Sequence, residues 1–432
     1  GTPVRRYHGA RRELDSILRH TEGGFVITTY GTMRVDVSET DEATTDAVPE
    51  ADDGGGAGGG DGASNGQDPR HTITTAPWGL LVVDEAQHIK NARSKTARAL
   101  RTIPAQARVA LTGTPVENNL SELWAILDWA TPGLLGSLGA FRTRWAEPIE
   151  SGKEPLATDT ARRFSRLVGP FLLRRRKSDP GIAPELPPKT QTDRPVSLAP
   201  EQADLYRAVV QETMEKIRTS SGMARRGLVL ALLTALKQVC NHPAQYLKEP
   251  LGAAGRSGKL DLLDELVDTI TAEDDAALIF TQYVGMARLL DEHFSARGTP
   301  VQVLHGGTPI EQRERMVRWF QESPPGQAPV FVLSLKAAGT GLNLTRAGHV
   351  IHYDRWWNPA VEEQATDRAY RIGQTRPVQV HRLIAEGTVE DRIAAMLETK
   401  RELADAVLSS GEAALSELSD ADLADLVTLR PR

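Results

Sequence analysis

Residues 349–384 read HVIHYDRWWNPAVEEQATDRAYRIGQTRPVQVHRLI, and the pattern of this stretch decides the fold class. Two runs rich in Val, Ile and Leu, at 349–353 and 378–383, have the length and composition of buried strands. Between them Gln364, Arg368 and Arg371 stand at i, i+4 and i+7, so a helix would set all three on one face. A strand, a helix and a further strand imply a parallel sheet. The charged face also reads as plain hydrated surface, but arginine is the side chain suited to charge on a transferring phosphoryl group.

The same alternation recurs outward from this stretch. From Lys259 a unit of strands and helices runs through short apolar runs at 277–280, 301–304 and 330–335. Far upstream, GFVIT at 24–28 reads as a buried strand followed by Thr29, Tyr30 and Gly31 in a loop. Residues 80–83 read as another buried strand, with Asp84 and Glu85 at its carboxyl end. Residues 108–111 repeat the pattern and end in Thr112, Gly113, Thr114 and Pro115. Leu120, Leu123, Trp124 and Leu127 then follow at helical spacing, with Asn118 and Asn119 as expected caps. Open parallel sheets bind ligands beyond their strand carboxyl ends, where these polar residues gather.

Bulk properties bound the possibilities. A chain of 432 residues exceeds one ordinary core, so two or three domains are expected. No apolar run approaches the roughly 20 residues of a membrane span, and no basic-then-apolar leader opens the chain, so a soluble protein with no membrane partner is expected. Cys240 is the only cysteine, which excludes internal disulfides and thiolate-rich metal cages. A reducing compartment follows, and with no nuclear-type basic tract the expectation is a bacterial cytoplasm ahead of a nucleus. The net charge of -6 speaks against nucleic acid only at first sight. Nine acids fall between Glu39 and Asp68, where no Lys or Arg occurs, and without them the balance is +3. Clusters such as Arg174, Arg175, Arg176 and Lys177 are then available to face phosphates.

Two composition changes divide the chain. Residues 38–70 are acidic and then glycine-rich, which marks a disordered surface insertion or a regulated acidic tether. The proline-rich DPGIAPELPPKTQTDRP at 179–195 breaks all periodicity and reads as a linker between two α/β halves. Near the end, Thr388 and Asp391 suggest a capping box for a terminal helix striped by Ile393, Met396, Leu397 and Leu403.

The candidate chemistry lies at the strand ends. In VVDEAQ one carboxylate, Asp84, suits Mg²⁺ held through its water shell, and the other, Glu85, suits acceptance of a proton from attacking water. An isolated acid pair would more often mark a helix start. Here the preceding strand, Gln87 and the TGTP turn favour a nucleotide site. The glycine-bearing AAGTGLNLT at 337–345 offers backbone amides to an anion. Cys240 with His242 reads as a packed helix end, and Trp356 with Trp357 as a loop anchor ahead of a base-stacking pair. No G-x-x-x-x-G-K-[ST] loop occurs; the nearest match, around Gly258 and Lys259, has Ala253 in place of the first glycine.

Together these motifs resemble the Swi/Snf-type ATPases of helicase superfamily two. DEAQHIKN at 84–91 is similar to motif II, LTGTPVENNLSELW at 111–124 to motif III, SLKAAGTGLNLT at 334–345 to motif V and QATDRAYRIGQ at 364–374 to motif VI. ELPPK, CNHP, IFTQY and LHGGT also match, in order, so the resemblance covers nearly the whole chain outside the acidic insertion. It implies an α/β fold of two RecA-like lobes, parallel sheets flanked by helices, with helical insertions and a C-terminal helix. The implied layout is lobe 1 at 1–178 with a helical insertion at 140–178, a linker at 179–195, a helical insertion at 196–255, lobe 2 at 256–395 and a bracing helix and tail at 396–432. ATP and Mg²⁺ are the implied cofactors and double-stranded DNA the implied partner, with DNA-bound proteins or a polymerase as further candidates and a monomer as the expected state.

By the same resemblance Asp84 would hold Mg²⁺, Glu85 would act as base, and Gln87 and Thr112 would couple the site to its surroundings. Arg368 and Arg371 would be arginine fingers acting when the lobes close. Gln364, Gly339, Thr340 and Gly341 would face the nucleotide; Thr29, Tyr30, Thr114, His305, Gly306 and Lys336 would face DNA. Ala338 departs from the usual glycine of motif V, and motif I with its lysine is missing. The chain is therefore expected to start downstream of motif I, in the middle of a longer protein, and to hydrolyse little ATP alone. The leading reading is an ATP-dependent double-stranded DNA translocase or remodeller. A non-catalytic DNA-binding or scaffold protein of the same fold and a strand-separating helicase are the alternatives.

Overall fold

Short β-branched runs make the strands of both units of the protein, but the two units cover those strands differently. The computed structural model describes residues 2–8, 14, 18, 23–45, 72–113, 115–116, 119–150, 156–175, 177, 179, 181–324, 326–338, 341–356, 358–394 and 418–430. Its two units are Gly1–Thr160 and Ala161–Arg432. Among the described residues no helix is long and apolar enough to cross a membrane.

In the first unit β1 (Val4–Arg6) pairs in parallel with β2 (Phe25–Ile27), and β3 (Trp78–Val83) with β4 (Ala105–Ala110). The expectation of buried strands at 24–28 and 80–83 is only half right. Val83 packs into the unit's core, whereas Leu80 is 50% and Val82 47% exposed. Successive strand residues point to opposite faces, and one face of this sheet is uncovered among the described residues. The register sets Leu80 beside Ala107 and Val82 beside Val109, so these residues share that open face.

Two further expectations are corrected here. Tyr30 and Gly31 are not loop residues, because the helix Tyr30–Thr45 begins at Tyr30 and buries Met33 and Val37. Thr29 caps it, its Oγ1 accepting from the Thr32 amide at 3.2 Å. The helix also runs eight residues into the stretch read as a disordered insertion from residue 38; once nucleated, a helix extends at the cost of one residue per bond. Residues 46–70 lie outside the described residues. The helix Leu120–Ala130 forms where expected, with Leu120, Leu123, Trp124 and Leu127 all buried. Its cap differs: Asn119 makes no side-chain capping bond, and the Leu120 amide instead donates to Glu150 Oε1 at 2.7 Å.

The second unit is built on six parallel strands in the order β5-β10-β9-β6-β8-β7. Their ranges are β5 (Lys189–Val196), β6 (Ala276–Thr281), β7 (Val301–Leu304), β8 (Val330–Ser334), β9 (Ala347–His352) and β10 (Val378–Ala385). Leu278, Phe280, Phe331, Leu333 and Val350 face one core layer; Ala277, Ile279, Val330, Val332 and Ile351 face the other. Burial on both faces is why these strands read as continuous apolar runs. The residues read as a linker contain all of β5 except its last residue, Val196, and β5 pairs with β10 over eight positions. Its polar sequence and Pro195 are tolerated because it lies at the sheet edge.

Helices Pro200–Arg218 and Gly222–Asn241 pack around Tyr206, Leu232 and Leu236, and the helix Asp420–Val427 adds Leu423, Leu426 and Val427 to the same cluster. At the expected terminal cap, Thr388 Oγ1 accepts from the Glu390 amide at 3.1 Å, while Asp391 Oδ2 accepts from Gly387 rather than completing the box. Met396, Leu397 and Leu403 lie outside the described residues.

Candidate functional site

At the carboxyl ends of β3 and β4 the first unit gathers its acids, amide and hydroxyl. The Leu111 amide donates to Val83 O at 2.8 Å and the Ala86 amide to Leu111 O at 2.9 Å, which fixes the two strand ends against each other. Asp84 is exposed, and its Oδ1 accepts from the Glu85 amide at 2.9 Å. Glu85 adopts φ 49 and ψ 51, a left-handed backbone that disfavours any side chain and concentrates at functional positions. From Glu85 a chain of side-chain bonds runs across the strands. Gln87 Nε2 donates to Glu85 Oε2 at 2.7 Å, and Thr112 Oγ1 donates to Gln87 Oε1 at 2.7 Å. The Gln87 amide is thus held at both ends, so its orientation reports on both strand ends at once.

Tyr30 borders this group, its hydroxyl donating to the Asp84 carbonyl at 2.7 Å and its ring 5.2 Å from that of His88. Burial, helped by the Asp84 and Glu85 carboxylates, pushes its phenol up, so it remains a donor at neutral pH. Sequence reasoning placed Tyr30 in a loop and missed this contact, which spans 54 residues.

In the second unit the arginine segment departs from the expected geometry. The helix is Pro359–Thr366, with Asn358 Oδ1 accepting from Ala360 at 3.0 Å, and it ends before either arginine. Beyond Thr366 the amides of Arg368 and Ala369 bond to Ala365 O and Thr366 O, three residues back, and Arg368 O accepts from the Leu344 amide at 2.9 Å. A 3.6-residue period cannot persist through such a turn, so Gln364, Arg368 and Arg371 do not share one helix face. Arg368 is buried, Arg371 exposed and Gln364 half-buried.

Several supports of this turn were not singled out from sequence. Gln374, buried, donates through Nε2 to Ala347 O at 2.9 Å and Ala369 O at 3.1 Å. Lys177, read as a phosphate-facing cation, lies 2.8 Å from Asp367 Oδ1 and also donates to Tyr370 O. Its ammonium and that of Lys189 sit 5.5 Å and 5.1 Å from the Tyr370 ring. Upstream of the helix, Arg355 binds Glu362 at 2.9 Å in a buried pair, and Trp356 packs partly buried on the core.

The remaining sites are dispersed. His305 and Gly306 follow β7, where His305 Nδ1 accepts from Gly307 at 3.1 Å and Arg313 donates to Gly306 O at 2.8 Å. Lys336 lies in the short helix Leu335–Ala338, and Gly341 adopts φ 63 in the loop that follows. Thr114, Gly339, Thr340 and Trp357 lie outside the described residues. Cys240 is fully buried, and His242 Nδ1 accepts from Ala244 at 3.1 Å as the cap of the next helix. Burial holds that imidazole neutral, with a pKa of about 4, and pushes the Cys240 thiol up.

Comparison with known proteins places this architecture. The SNF2-related domain family matches residues 4–245, and the helicase conserved C-terminal domain matches residues 258–373. The chain belongs to the SNF2-related family. It is 47% identical over 363 residues to the Bacillus subtilis protein named ATP-dependent helicase/translocase YwqA, a match that covers 83% of this chain and 38% of YwqA. It is 36% identical over 342 residues to the mouse SWI/SNF-related matrix-associated actin-dependent regulator of chromatin subfamily A member 1, covering 77% of this chain and 32% of that protein. The chain thus spans about a third of the length of these curated relatives. Among solved structures, the Sulfolobus solfataricus SWI2/SNF2 ATPase core in complex with dsDNA matches with a TM-score of 0.51 at 34% identity, covering 99% of this chain and 81% of that one.

The SNF2 fold assigns each unit a RecA-like architecture, with parallel sheets flanked by helices. The family is one of nucleotide users, and the donor set at the strand ends fits a hydrated hard cation, since Asp84 is an exposed carboxylate among oxygen donors.

Proposed function

We propose that this chain is the greater part of the motor of an ATP-dependent double-stranded DNA translocase or remodeller, tracking duplex DNA without separating its strands. The observation that carries the reading is the hydrogen-bonded series Glu85, Gln87, Thr112 at the ends of two parallel strands. The family membership and the relatives named for helicase, translocase and chromatin work support it.

In this reading Asp84 holds a hydrated Mg²⁺, which when bound supplies positive charge for the phosphates. Glu85 accepts the proton of the attacking water. Gln87 and Thr112 relay the state of Glu85 to the neighbouring strand end. Arg368 and Arg371 supply guanidinium charge for the transferring phosphoryl group, with Gln374 and Lys177 holding the turn that carries them. Gly341 and Gln364 also face nucleotide. Thr29, His305, Gly306 and Lys336 contribute to a duplex-DNA track.

The test is Glu85→Gln in the full-length protein. Duplex-stimulated turnover should fall by roughly 10²-fold or more while nucleotide binding persists. Unchanged turnover would remove Glu85 as the base. DNA affinity should fall by about 0.9 log units per log unit of salt for each phosphate neutralised; salt-insensitive binding contradicts a backbone-tracking surface.

A further inference from the structure

The Asp84–Glu85 peptide is gripped from outside its own strand. The Tyr30 hydroxyl donates to its carbonyl at 2.7 Å, and Tyr30 is itself held in place. Thr29 and Thr32 bond each other at the start of its helix, His8 Nδ1 lies 2.8 Å from Thr32 Oγ1, and the Tyr7 hydroxyl donates to Asp36 Oδ1 at 2.7 Å. The ring is steadied against His88. Immediately beyond the gripped carbonyl, Glu85 adopts its left-handed backbone. Rotation of that peptide plane is the easiest route by which Glu85 would relax to an extended or right-handed conformation. Either would swing its carboxylate away from Gln87 Nε2, 2.7 Å distant.

We infer that Tyr30 is a positioning residue for the acid pair, its hydroxyl locking the Asp84–Glu85 peptide so that the Glu85 carboxylate stays aimed at Gln87 and the attacking water. This rests on the reading of Glu85 as the base. It turns Tyr30 away from the DNA-contact role implied by family resemblance: the polar end of the side chain is spent on the acid pair, and DNA contact through Thr29 would reach the acids by way of the residue next to it. Because the bonded atom is a main-chain carbonyl, no feature of the acidic motif itself reveals the dependence.

Tyr30→Phe removes the hydroxyl and keeps the ring. In the full-length protein kcat should fall about 10-fold, with KM for ATP and the DNA concentration for half-maximal stimulation unchanged within about twofold. In a Glu85→Gln background the same substitution should have no further effect, since residues acting as a unit are not additive. Without nucleotide, hydrogen exchange at the Glu85 and Ala86 amides should quicken in Tyr30→Phe, while amides of β6 and β8 keep their protection. Wild-type kcat, a weakened DNA half-saturation with kcat retained, losses that multiply in the double variant, or unaltered exchange at Glu85 and Ala86 would each overturn the inference. Wild-type turnover in Glu85→Gln alone would instead sink the assignment of the base, whatever Tyr30→Phe does.

Discussion

Lys259→Met would leave a carboxylate buried without its countercharge, and the cost can be worked from the geometry. Lys259 Nζ lies 2.7 Å from Glu390 Oε2, with side chains only 1% and 0% exposed. The ammonium also donates to Tyr353 O at 3.0 Å and Asn241 Oδ1 at 3.2 Å. Glu390 keeps the Ala385 amide at 3.0 Å after the substitution, but that is a dipole and not a charge. Leaving it ionised costs about 3–5 kcal/mol. The expected loss at pH 7 is therefore about 3–5 kcal/mol.

Urea unfolding followed through Trp319 and Trp356, both in the second unit, measures this loss. Lys259→Met with Glu390→Leu should recover most of the loss, because a buried ion pair replaced by apolar groups is often nearly neutral. A penalty under about 1 kcal/mol at pH 7 would refute a buried charged pair.

Three further outcomes follow from the same structure. Gly258→Ala would set its Cβ on the Ser197 carbonyl oxygen and against Val196, so the second unit should lose about 1–3 kcal/mol in urea unfolding, and a neutral result would mean the strand end gives way freely. Burial pushes His352 down to about 4; the unfolded chain binds more protons between that value and about 6.5, so stability should fall as pH is lowered through this window, by on the order of 3 kcal/mol for this group, and His352→Gln should flatten the slope. His381, pushed down to about 4 chiefly by burial and then by His349, contributes in the same direction. Arg371→Ala in the full-length protein should lower turnover on the order of 10³-fold; a mild loss would return this exposed arginine to plain solvated surface.

The sequence by itself determined five of the six strands of the second unit, the strand-end position of Asp84 and Glu85 and the family. Runs such as AALIFT and VFVLS are apolar up to a final hydroxyl residue because the sheet is covered on both faces, and that requirement is written into each residue separately. Local chemistry also carried Thr112 and Gln87, whose partners lie on adjoining strand ends. Tertiary structure alone decided what depends on a distant partner. β5 becomes a strand only because β10 offers it an edge, so a proline-rich segment that reads as linker joins the sheet. The helix before Arg368 stops at Thr366, and just beyond it the carbonyls of Arg368 and Ala369 are taken by the Leu344 amide and the Gln374 side chain, which no spacing rule within the helix anticipates. Lys259 finds Glu390 across 131 residues, and Tyr30 finds the Asp84 carbonyl across 54. Periodicity reports which face of a segment is apolar, whereas the partner of a polar group is set by how whole elements pack.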